Sequence, residues 1–309
     1  MPEPNFFIIG APKCGTTALS DYLRDHPRIF MPVYKEPHFY NTDHPKIRGF
    51  KDRDKYLALF DEAGDAYDAV GEASIHYLRS EEAVPNILEH HPDAKFIVMV
   101  REPVAFLRSW HNQLLYSLME NEKDFAKAWA LRIERRTGKS IPVSCPHPML
   151  LDYEAAASFG AQVERLLSHV AKEQVLFIRF EDFIADNRKW YLAALDFLGV
   201  PDDGKTEFAR SNPAHQNRSR LGGWVLDRGY KTLSRINPFA QGNPIRSAAK
   251  KLLMLAKQSN TTYHRPEPIP DALATEIVGL LREDHAKLAD LTGIRLDRPA
   301  SDSDTETPA

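Results

Sequence analysis

The segment FFIIGAPKCGTTALSDYL, close to the N-terminus, combines residue types that bind oxyanions. An apolar run ends at a glycine, a second glycine precedes a helical pattern, and Lys13 lies between them. The glycines let the backbone approach a ligand, while Thr16 and Thr17 add hydroxyl donors to the lysine charge. A helix N-terminus favours an anion by about 0.3–1 kcal/mol. We therefore expect an oxyanion site here, the alternative being an ordinary strand-to-helix turn with a surface lysine.

The position of the lysine separates this loop from the ATP-binding Walker A loop. That loop has its lysine directly after the second glycine. Here Thr16 occupies that position, and Lys13 lies two residues before Gly15. A P-loop kinase or NTPase is accordingly the alternative, and a different phosphate-like ligand is the favoured interpretation.

Apolar runs alternate with helical patterns along the chain. Three runs predict buried strands, at Asn5–Ile9, Lys95–Val100 and Val175–Phe180. Besides the helical pattern that follows the first loop, four segments have helical spacing, at residues 104–116, 155–170, 190–198 and 272–291. This alternation predicts an α/β fold with a parallel sheet and right-handed crossovers. Ligands in such folds bind beyond the carboxyl ends of the strands, where the first loop lies.

Two motifs together resemble sulfotransferases that use 3′-phosphoadenosine 5′-phosphosulfate (PAPS). GAPKCGTTAL is similar to their 5′-phosphosulfate loop, and VREPVAFLRSW is similar to their 3′-phosphate element. The resemblance implies a P-loop-like parallel sheet with helices on both faces. It also implies that Arg101 and Ser109 bind the 3′-phosphate of the nucleotide, for which the planar guanidinium is suited. The residues implied at the 5′ end are Lys13, Cys14, Gly15, Thr16 and Thr17.

A third motif, KEPHFY, is similar to the segment of the glycan-type sulfotransferases that carries the catalytic base. Glu36 matches their glutamate and His38 their histidine, and the sequence leaves open which of the two accepts the proton. His38 as a buried, structurally hydrogen-bonded residue is an equal alternative. In GEASIHYL, Ala73 replaces a lysine that these relatives often carry. Lys13, helped by Lys35, would then supply the missing charge.

The resemblance also implies a basic loop late in the chain that closes over the nucleotide. HQNRSRL is the candidate, with Arg218 and Arg220 as phosphate donors. Glycan-type relatives often have a disulfide near this loop, but this chain has no cysteine after Cys145.

The remaining polar clusters have two interpretations each. Glu72, Ser74 and His76 either line an acceptor pocket or alternate outward from a half-buried segment. Glu181 and Asp182 follow a strand, where a capping role is preferred to a magnesium site. We predict no metal, because no cluster has the spacing of metal ligands.

Composition limits the class of protein. The chain has 309 residues with a net charge of −3, which argues against broad nucleic-acid binding, and two cysteines, which favour the cytoplasm. We expect a soluble chain without a transmembrane segment. One domain is predicted over residues 1–300, with a variable basic region at 204–265 and a disordered acidic tail at 301–309. The oligomeric state stays open.

These observations predict a PAPS-dependent sulfotransferase. Its acceptor would be a hydroxyl of a carbohydrate, glycolipid or small metabolite. A P-loop kinase or NTPase is one alternative, and a non-catalytic nucleotide-binding protein of the same fold is the other.

Overall fold

The computed structural model describes residues 3–209, 215–217, 252, 253, 255, 256, 259, 261–263 and 267–296. These residues belong to two compact units. The first contains residues 3–107, 153–209 and 270–296, and the second contains residues 108–152 with the described part of 213–269. The single domain expected over residues 1–300 stays a prediction.

The first unit is built on a five-stranded parallel sheet. Its strands are β1 (Phe6–Gly10), β2 (Ile29–Phe30), β3 (Ala69–Ala73), β4 (Lys95–Val100) and β5 (Val175–Arg179). Their order across the sheet is β2-β3-β1-β4-β5. The predicted α/β fold with a parallel sheet is therefore confirmed. The second unit contains a short antiparallel pair, β6 (His215–Asn217) and β7 (Thr261–Tyr263).

The apolar runs of the sequence form the centre of the sheet. Every residue of β1 is buried, and β4 is buried from Phe96 to Val100. Strands covered on both faces require such continuous apolar sequence. The sequence did not predict β2, which has only two residues, or β3, whose sequence AVGEA contains a glycine and a charge. Within β3, a Cβ at Gly71 would lie 2.3 Å from the ring of Phe6, so only glycine fits there.

The described helices surround this sheet or belong to the second unit. They are α1 (Thr16–Arg24), α2 (Arg53–Leu57), α3 (Ala83–His90), α4 (Pro103–Tyr116), α5 (Phe125–Ala130), α6 (Arg132–Arg136), α7 (Tyr153–Ala157), α8 (Phe159–Leu167), α9 (Phe180–Ala185), α10 (Asn187–Leu198) and α11 (Asp271–Thr292). The predicted helices at 104–116, 190–198 and 272–291 correspond to α4, α10 and α11. None of the described helices is long and apolar enough to cross a bilayer.

One predicted helix is not continuous in the structure, so that prediction is wrong. The segment 155–170 contains two helices, α7 and α8, separated at Ser158. The carboxylate of Asp284, on α11, accepts hydrogen bonds from the backbone N–H groups of Gly160 and Ala161, at 2.7 and 2.8 Å. A carboxylate in this position satisfies N–H groups of the first helical turn, so it stabilises a new helix start where local sequence predicts continuation.

Candidate functional site

The loop between β1 and α1 contains two residues in left-handed backbone conformations. Lys13 has a φ of 61° and Gly15 a φ of 87°, and turns of this kind direct successive N–H groups toward one point. No side chain among the described residues caps the start of α1. A Cβ at position 15 would lie 3.1 Å from Cδ2 of Phe180 and 3.3 Å from Cε of Met99. The left-handed backbone therefore favours glycine here, and a Cβ would also force Phe180 or Met99 to shift.

The other predicted loop residues contribute in different ways. Cys14 is fully buried, and its Sγ donates to the carbonyl oxygen of Pro12 at 3.4 Å. Burial raises the pKa of this thiol, so only its backbone can serve an anion. Thr16 is buried, whereas Thr17 is partly exposed and accepts a hydrogen bond from Nζ of Lys35. Because Thr17 accepts that bond, its own hydroxyl hydrogen can be donated to a ligand.

Arg101 follows β4 and lies against this loop. Its Nη1 donates to the carbonyl oxygen of Lys13 at 3.1 Å, and its guanidinium carbon lies 4.3 Å from the ring centroid of Phe180. Stacking and hydrogen bonding together fix the orientation of the planar group. The structure thus brings the predicted Arg101 to the predicted loop.

Burial and the charge of Arg101 lower the pKa of Lys13. Two cationic groups are thus held close enough to repel one another, and an anion bound between the loop and these groups would relieve that repulsion. The left-handed loop, the helix start without a side-chain cap and the two cations fit the phosphate groups of a nucleotide.

The segment Lys35–Tyr40 approaches the same loop. Glu36 and His38 both have left-handed backbone conformations, with φ of 56° and 47°. His38 Nε2 lies 3.7 Å from Oε2 of Glu36. Together with the bond from Lys35 to Thr17, this arrangement brings the candidate base and the candidate anion loop into one region.

The environment of Glu36 favours its ionised form. Burial alone would raise the pKa of Glu36, but the imidazole of His38 and two ammonium groups lower it below the usual value. The ammonium groups belong to Lys35 and Lys13. The carboxylate side chain is 35% exposed, so a ligand can reach it. An ionised, accessible carboxylate beside an anion loop is suited to accept a proton from a hydroxyl.

His38 is buried, but its ring nitrogens do not form the hydrogen bonds expected of a histidine with a purely structural role. Its Nδ1 has no hydrogen-bond partner among the described residues, and its Nε2 faces Glu36. Its ring also stacks on that of His76 with a centroid distance of 5.1 Å. The structure therefore couples His38 to Glu36, and which of the two accepts the proton stays open.

The described contacts do not join the predicted Ser109 to the other site residues. Ser109 lies on α4, partly exposed, in the second compact unit. Its shared role with Arg101 at one phosphate stays a prediction. Arg218 and Arg220 lie outside the described residues.

The outward-facing interpretation of Glu72, Ser74 and His76 is wrong. All three side chains are buried. The carboxylate of Glu72 accepts hydrogen bonds from the hydroxyls of Tyr56, Ser74 and Tyr77, at 3.1, 2.6 and 2.8 Å. The sequence placed Glu72 and Ser74 near each other, but Tyr56 lies 16 residues before Glu72, and no local pattern shows that it joins them.

The acidic pair after β5 has a structural explanation. Oε1 of Glu181 accepts a hydrogen bond from the backbone N–H of Glu102 at 3.1 Å. Glu102 in turn accepts from the N–H groups of Val104 and Ala105 and so caps the start of α4. Asp182 forms an ion pair with Arg179 at 3.8 Å. Among the described residues, no group of three or more His, Cys, Asp or Glu is arranged to hold a metal ion.

Comparisons with known proteins agree with this geometry. The sulfotransferase domain family matches residues 3–215. Carbohydrate sulfotransferase 15 of Mus musculus is 35% identical over 34% of this chain and 26% of its own length. Heparan sulfate glucosamine 3-O-sulfotransferase 3B1 of Homo sapiens is 29% identical over 64% of this chain and 46% of its own length. The chain thus spans less than half the length of these two relatives.

A solved bacterial structure matches more of the chain. The crystal structure of a sulfotransferase from Alicyclobacillus acidocaldarius aligns with a TM-score of 0.60 and 29% identity. The alignment covers 80% of this chain and the whole of that one.

Proposed function

The chain belongs to the sulfotransferase domain family, and from that membership we propose that it transfers the sulfuryl group of PAPS to an acceptor hydroxyl. The observation that carries the proposal is the convergence of an ionised Glu36, Lys13 and Arg101 around a loop that is suited to anions. A base, a charge at the leaving group and a phosphate clamp are the three requirements of in-line transfer.

Each step of the transfer has a candidate residue. Glu36, coupled to His38, accepts the hydrogen of the acceptor hydroxyl as a proton. The acceptor oxygen then forms a bond to sulfur, and the bond between sulfur and the bridging phosphate oxygen breaks. Lys13 and the loop N–H groups stabilise the electron pair that stays on the departing 5′-phosphate. The products are the sulfated acceptor and adenosine 3′,5′-bisphosphate.

The nucleotide-binding residues follow from the same arrangement. Lys13, Thr16, Thr17 and the backbone at Cys14 and Gly15 would hold the 5′ end. Arg101, oriented by Phe180, would bind the 3′-phosphate with Ser109. Arg218 and Arg220 stay candidates for the closing loop.

The acceptor is proposed to be a hydroxyl of a carbohydrate, glycolipid or small metabolite. The names of the two curated relatives, a carbohydrate sulfotransferase and a heparan sulfate sulfotransferase, support a sugar hydroxyl among these. Acceptor choice depends on pocket shape, to which variable loops contribute.

The two alternatives are less well supported. A kinase or NTPase needs a lysine where Thr16 lies, and Glu181, its candidate magnesium ligand, instead accepts from the N–H of Glu102. A non-catalytic nucleotide-binding protein is suggested by Ala73, but Lys35 brings a second ammonium group close to Glu36.

Binding calorimetry tests the nucleotide. We expect adenosine 3′,5′-bisphosphate without metal to bind at least about tenfold more tightly than ATP with magnesium, a difference of about 1.4 kcal/mol. Preference for ATP with magnesium would overturn the proposal in favour of the kinase alternative.

Two substitutions then separate binding from turnover. Arg101→Ala removes charge-assisted hydrogen bonds and is expected to weaken bisphosphate binding by about 10- to 100-fold. Arg28→Ala is the matched control, because Arg28 is exposed and pairs with Asp68.

Glu36→Gln is expected to lower the rate at which adenosine 3′,5′-bisphosphate is released from PAPS, with water as the acceptor, by at least about 100-fold. Its affinity for the bisphosphate should stay within about twofold of that of the unsubstituted protein. Equal loss of affinity in Arg101→Ala and Glu36→Gln would contradict these roles.

A further inference from the structure

Glu72 is a fully buried carboxylate whose partners are all neutral hydroxyls among the described side-chain hydrogen bonds. Tyr56 and Tyr77 donate to its Oε1, and Ser74 donates to its Oε2. A buried carboxylate is costly unless its oxygens are hydrogen-bonded. Placing one at the end of β3 therefore calls for a reason beyond packing.

Two of these hydroxyls also bind the segment that carries Glu36. The hydroxyl of Ser74 accepts from the backbone N–H of His38 at 3.0 Å. The hydroxyl of Tyr77 accepts from the N–H groups of Phe39 and Tyr40, at 2.9 and 3.2 Å. Three consecutive backbone N–H groups are thus connected to one carboxylate through two hydroxyls.

The direction of these hydrogen bonds is set by Glu72. An ionised carboxylate only accepts, and a backbone N–H only donates. Each hydroxyl between them must direct its hydrogen toward Glu72 and its lone pairs toward the loop. A group at position 72 that donates a hydrogen bond, such as the amide of glutamine, would leave one hydroxyl hydrogen without its acceptor, and that hydroxyl would be held less firmly against the loop N–H groups.

The loop needs this support because its backbone is strained. Glu36 and His38 have positive φ values, which cost of order 1 kcal/mol or more for residues other than glycine. Such conformations persist only where surrounding contacts determine them. The N–H of Glu36 donates to the carbonyl oxygen of Ala73 at 3.2 Å, which adds a fourth bond from the end of β3.

We propose that Glu72 is a positioning residue for sulfuryl transfer, which acts through Ser74 and Tyr77 to hold Glu36 and His38 in their left-handed conformations. The proposal rests on the proposed function for its catalytic part. Its structural part, the control of the loop by Glu72, can be measured without substrate.

The chain offers a matched control in Tyr56. Its hydroxyl donates to the same Oε1 as that of Tyr77, and both side chains have 0% exposure. No hydrogen bond of the described residues joins the Tyr56 hydroxyl to a backbone N–H of the loop. Tyr56→Phe keeps the ring that stacks on Phe39 and removes one bond to Glu72. Tyr77→Phe removes one bond to Glu72 and also the acceptor of two loop N–H groups.

The first measurement is hydrogen exchange of the segment 36–40 without ligands. We expect Tyr77→Phe and Glu72→Gln to speed exchange of its amides by at least about tenfold, because a lost bond of about 1.4 kcal/mol changes an opening equilibrium by that factor. Tyr56→Phe is expected to stay within about twofold of the original protein. Equal acceleration in Tyr56→Phe and Tyr77→Phe would overturn the proposal.

The second measurement is the release of adenosine 3′,5′-bisphosphate from PAPS with water as the acceptor. A misplaced base costs about 10- to 100-fold in rate, so we expect this loss in kcat for Tyr77→Phe and Glu72→Gln. Bisphosphate affinity should change by less than about twofold, and Tyr56→Phe should keep its rate. An unchanged kcat in Tyr77→Phe, despite faster exchange, would overturn the catalytic part.

The two measurements separate this inference from the proposed function. If the original protein neither binds the bisphosphate nor turns over PAPS, the proposed function is wrong and the catalytic part falls with it, while the exchange data still decide the control of the loop. If the original protein is active but all three variants lose rate equally, only the inference is wrong.

Discussion

Two fully buried carboxylates, one in each compact unit, are satisfied in opposite ways. Glu72 accepts from three neutral hydroxyls. Glu120 accepts both Nη groups of Arg135, at 2.6 and 2.8 Å, and these two side chains are 0% and 1% exposed. A guanidinium neutralises the carboxylate charge beside it, whereas hydroxyls leave that charge in place. Because each hydroxyl donates its hydrogen to the carboxylate, its lone pairs are left to accept hydrogen bonds from other groups.

The two sets of hydrogen bonds indicate different roles for the buried carboxylates of Glu72 and Glu120. Glu120 also accepts from the N–H groups of Asn121 and Glu122, so its ion pair fixes a turn within its own unit. The partners of Glu72 instead connect it to the segment of a candidate catalytic residue. In this chain, the buried carboxylate held by hydroxyls is therefore the one connected to the candidate site, whereas the described side-chain bonds of the buried ion pair stay within residues 120–140.

The largest expected effect is on the ion pair. Arg135→Met leaves the carboxylate of Glu120 buried without its cation and is expected to lower the free energy of unfolding by about 3–5 kcal/mol. Urea unfolding followed by tryptophan fluorescence measures this, since Trp110 and Trp129 lie in the same unit. A loss below about 1 kcal/mol would show that water reaches Glu120, and the contrast with Glu72 would then disappear.

The pH dependence of stability gives a smaller effect with a defined sign. Burial raises the pKa of Glu72 above the ordinary value of 4.5. The folded chain therefore binds this proton more tightly than the unfolded chain, and the contribution of Glu72 to wild-type stability falls as the pH rises from the ordinary pKa through the raised one. Glu72→Gln lacks this titration. Its stability relative to the wild type should rise over that window, by at most about 1.4 kcal/mol per pH unit.

Glu36→Gln is the control of opposite sign. The pKa of Glu36 is lowered, on balance, by His38 and its neighbouring ammonium groups. The contribution of Glu36 to wild-type stability then rises as the pH rises from the lowered pKa through the ordinary one, so the stability of Glu36→Gln relative to the wild type should fall there. Slopes of the same sign in Glu72→Gln and Glu36→Gln would contradict the different environments assigned to these carboxylates.

The sequence predicted the elements that are locally encoded. The bounds of β4 match its apolar run, and Lys13, Arg101, Glu36 and His38 lie in one region as the motifs implied. The sequence missed β3, because a strand with Gly71 and Glu72 has neither the alternation nor the apolar run that indicates a strand.

Long-range contacts explain the other structural features that the sequence did not predict. Asp284 caps α8 from 124 residues away, so the break at Ser158 has no local signal. The bonds from Tyr56 to Glu72 and from Ser74 to the N–H of His38 likewise join distant positions. Residue types identified the candidate base, but only the fold identifies what holds it. Cytoplasmic residence stays a prediction.

The smallest expected effect comes from the neighbour of Arg135. Arg136 also forms a two-bond ion pair, with Asp152 at 2.9 Å for both bonds, but its side chain is 42% exposed. Water solvates this guanidinium in the folded and unfolded chain, so Arg136→Met is expected to cost no more than about 1 kcal/mol in the same urea titration. Adjacent arginines of one helix, each with two bonds to one carboxylate, would then differ several-fold. Burial is the main difference between them, although Arg135 also donates its Nε to the carbonyl oxygen of Ser140 at 3.1 Å. A loss in Arg136→Met as large as that in Arg135→Met would mean that hydrogen-bond geometry, and not desolvation of Glu120, determines the larger effect.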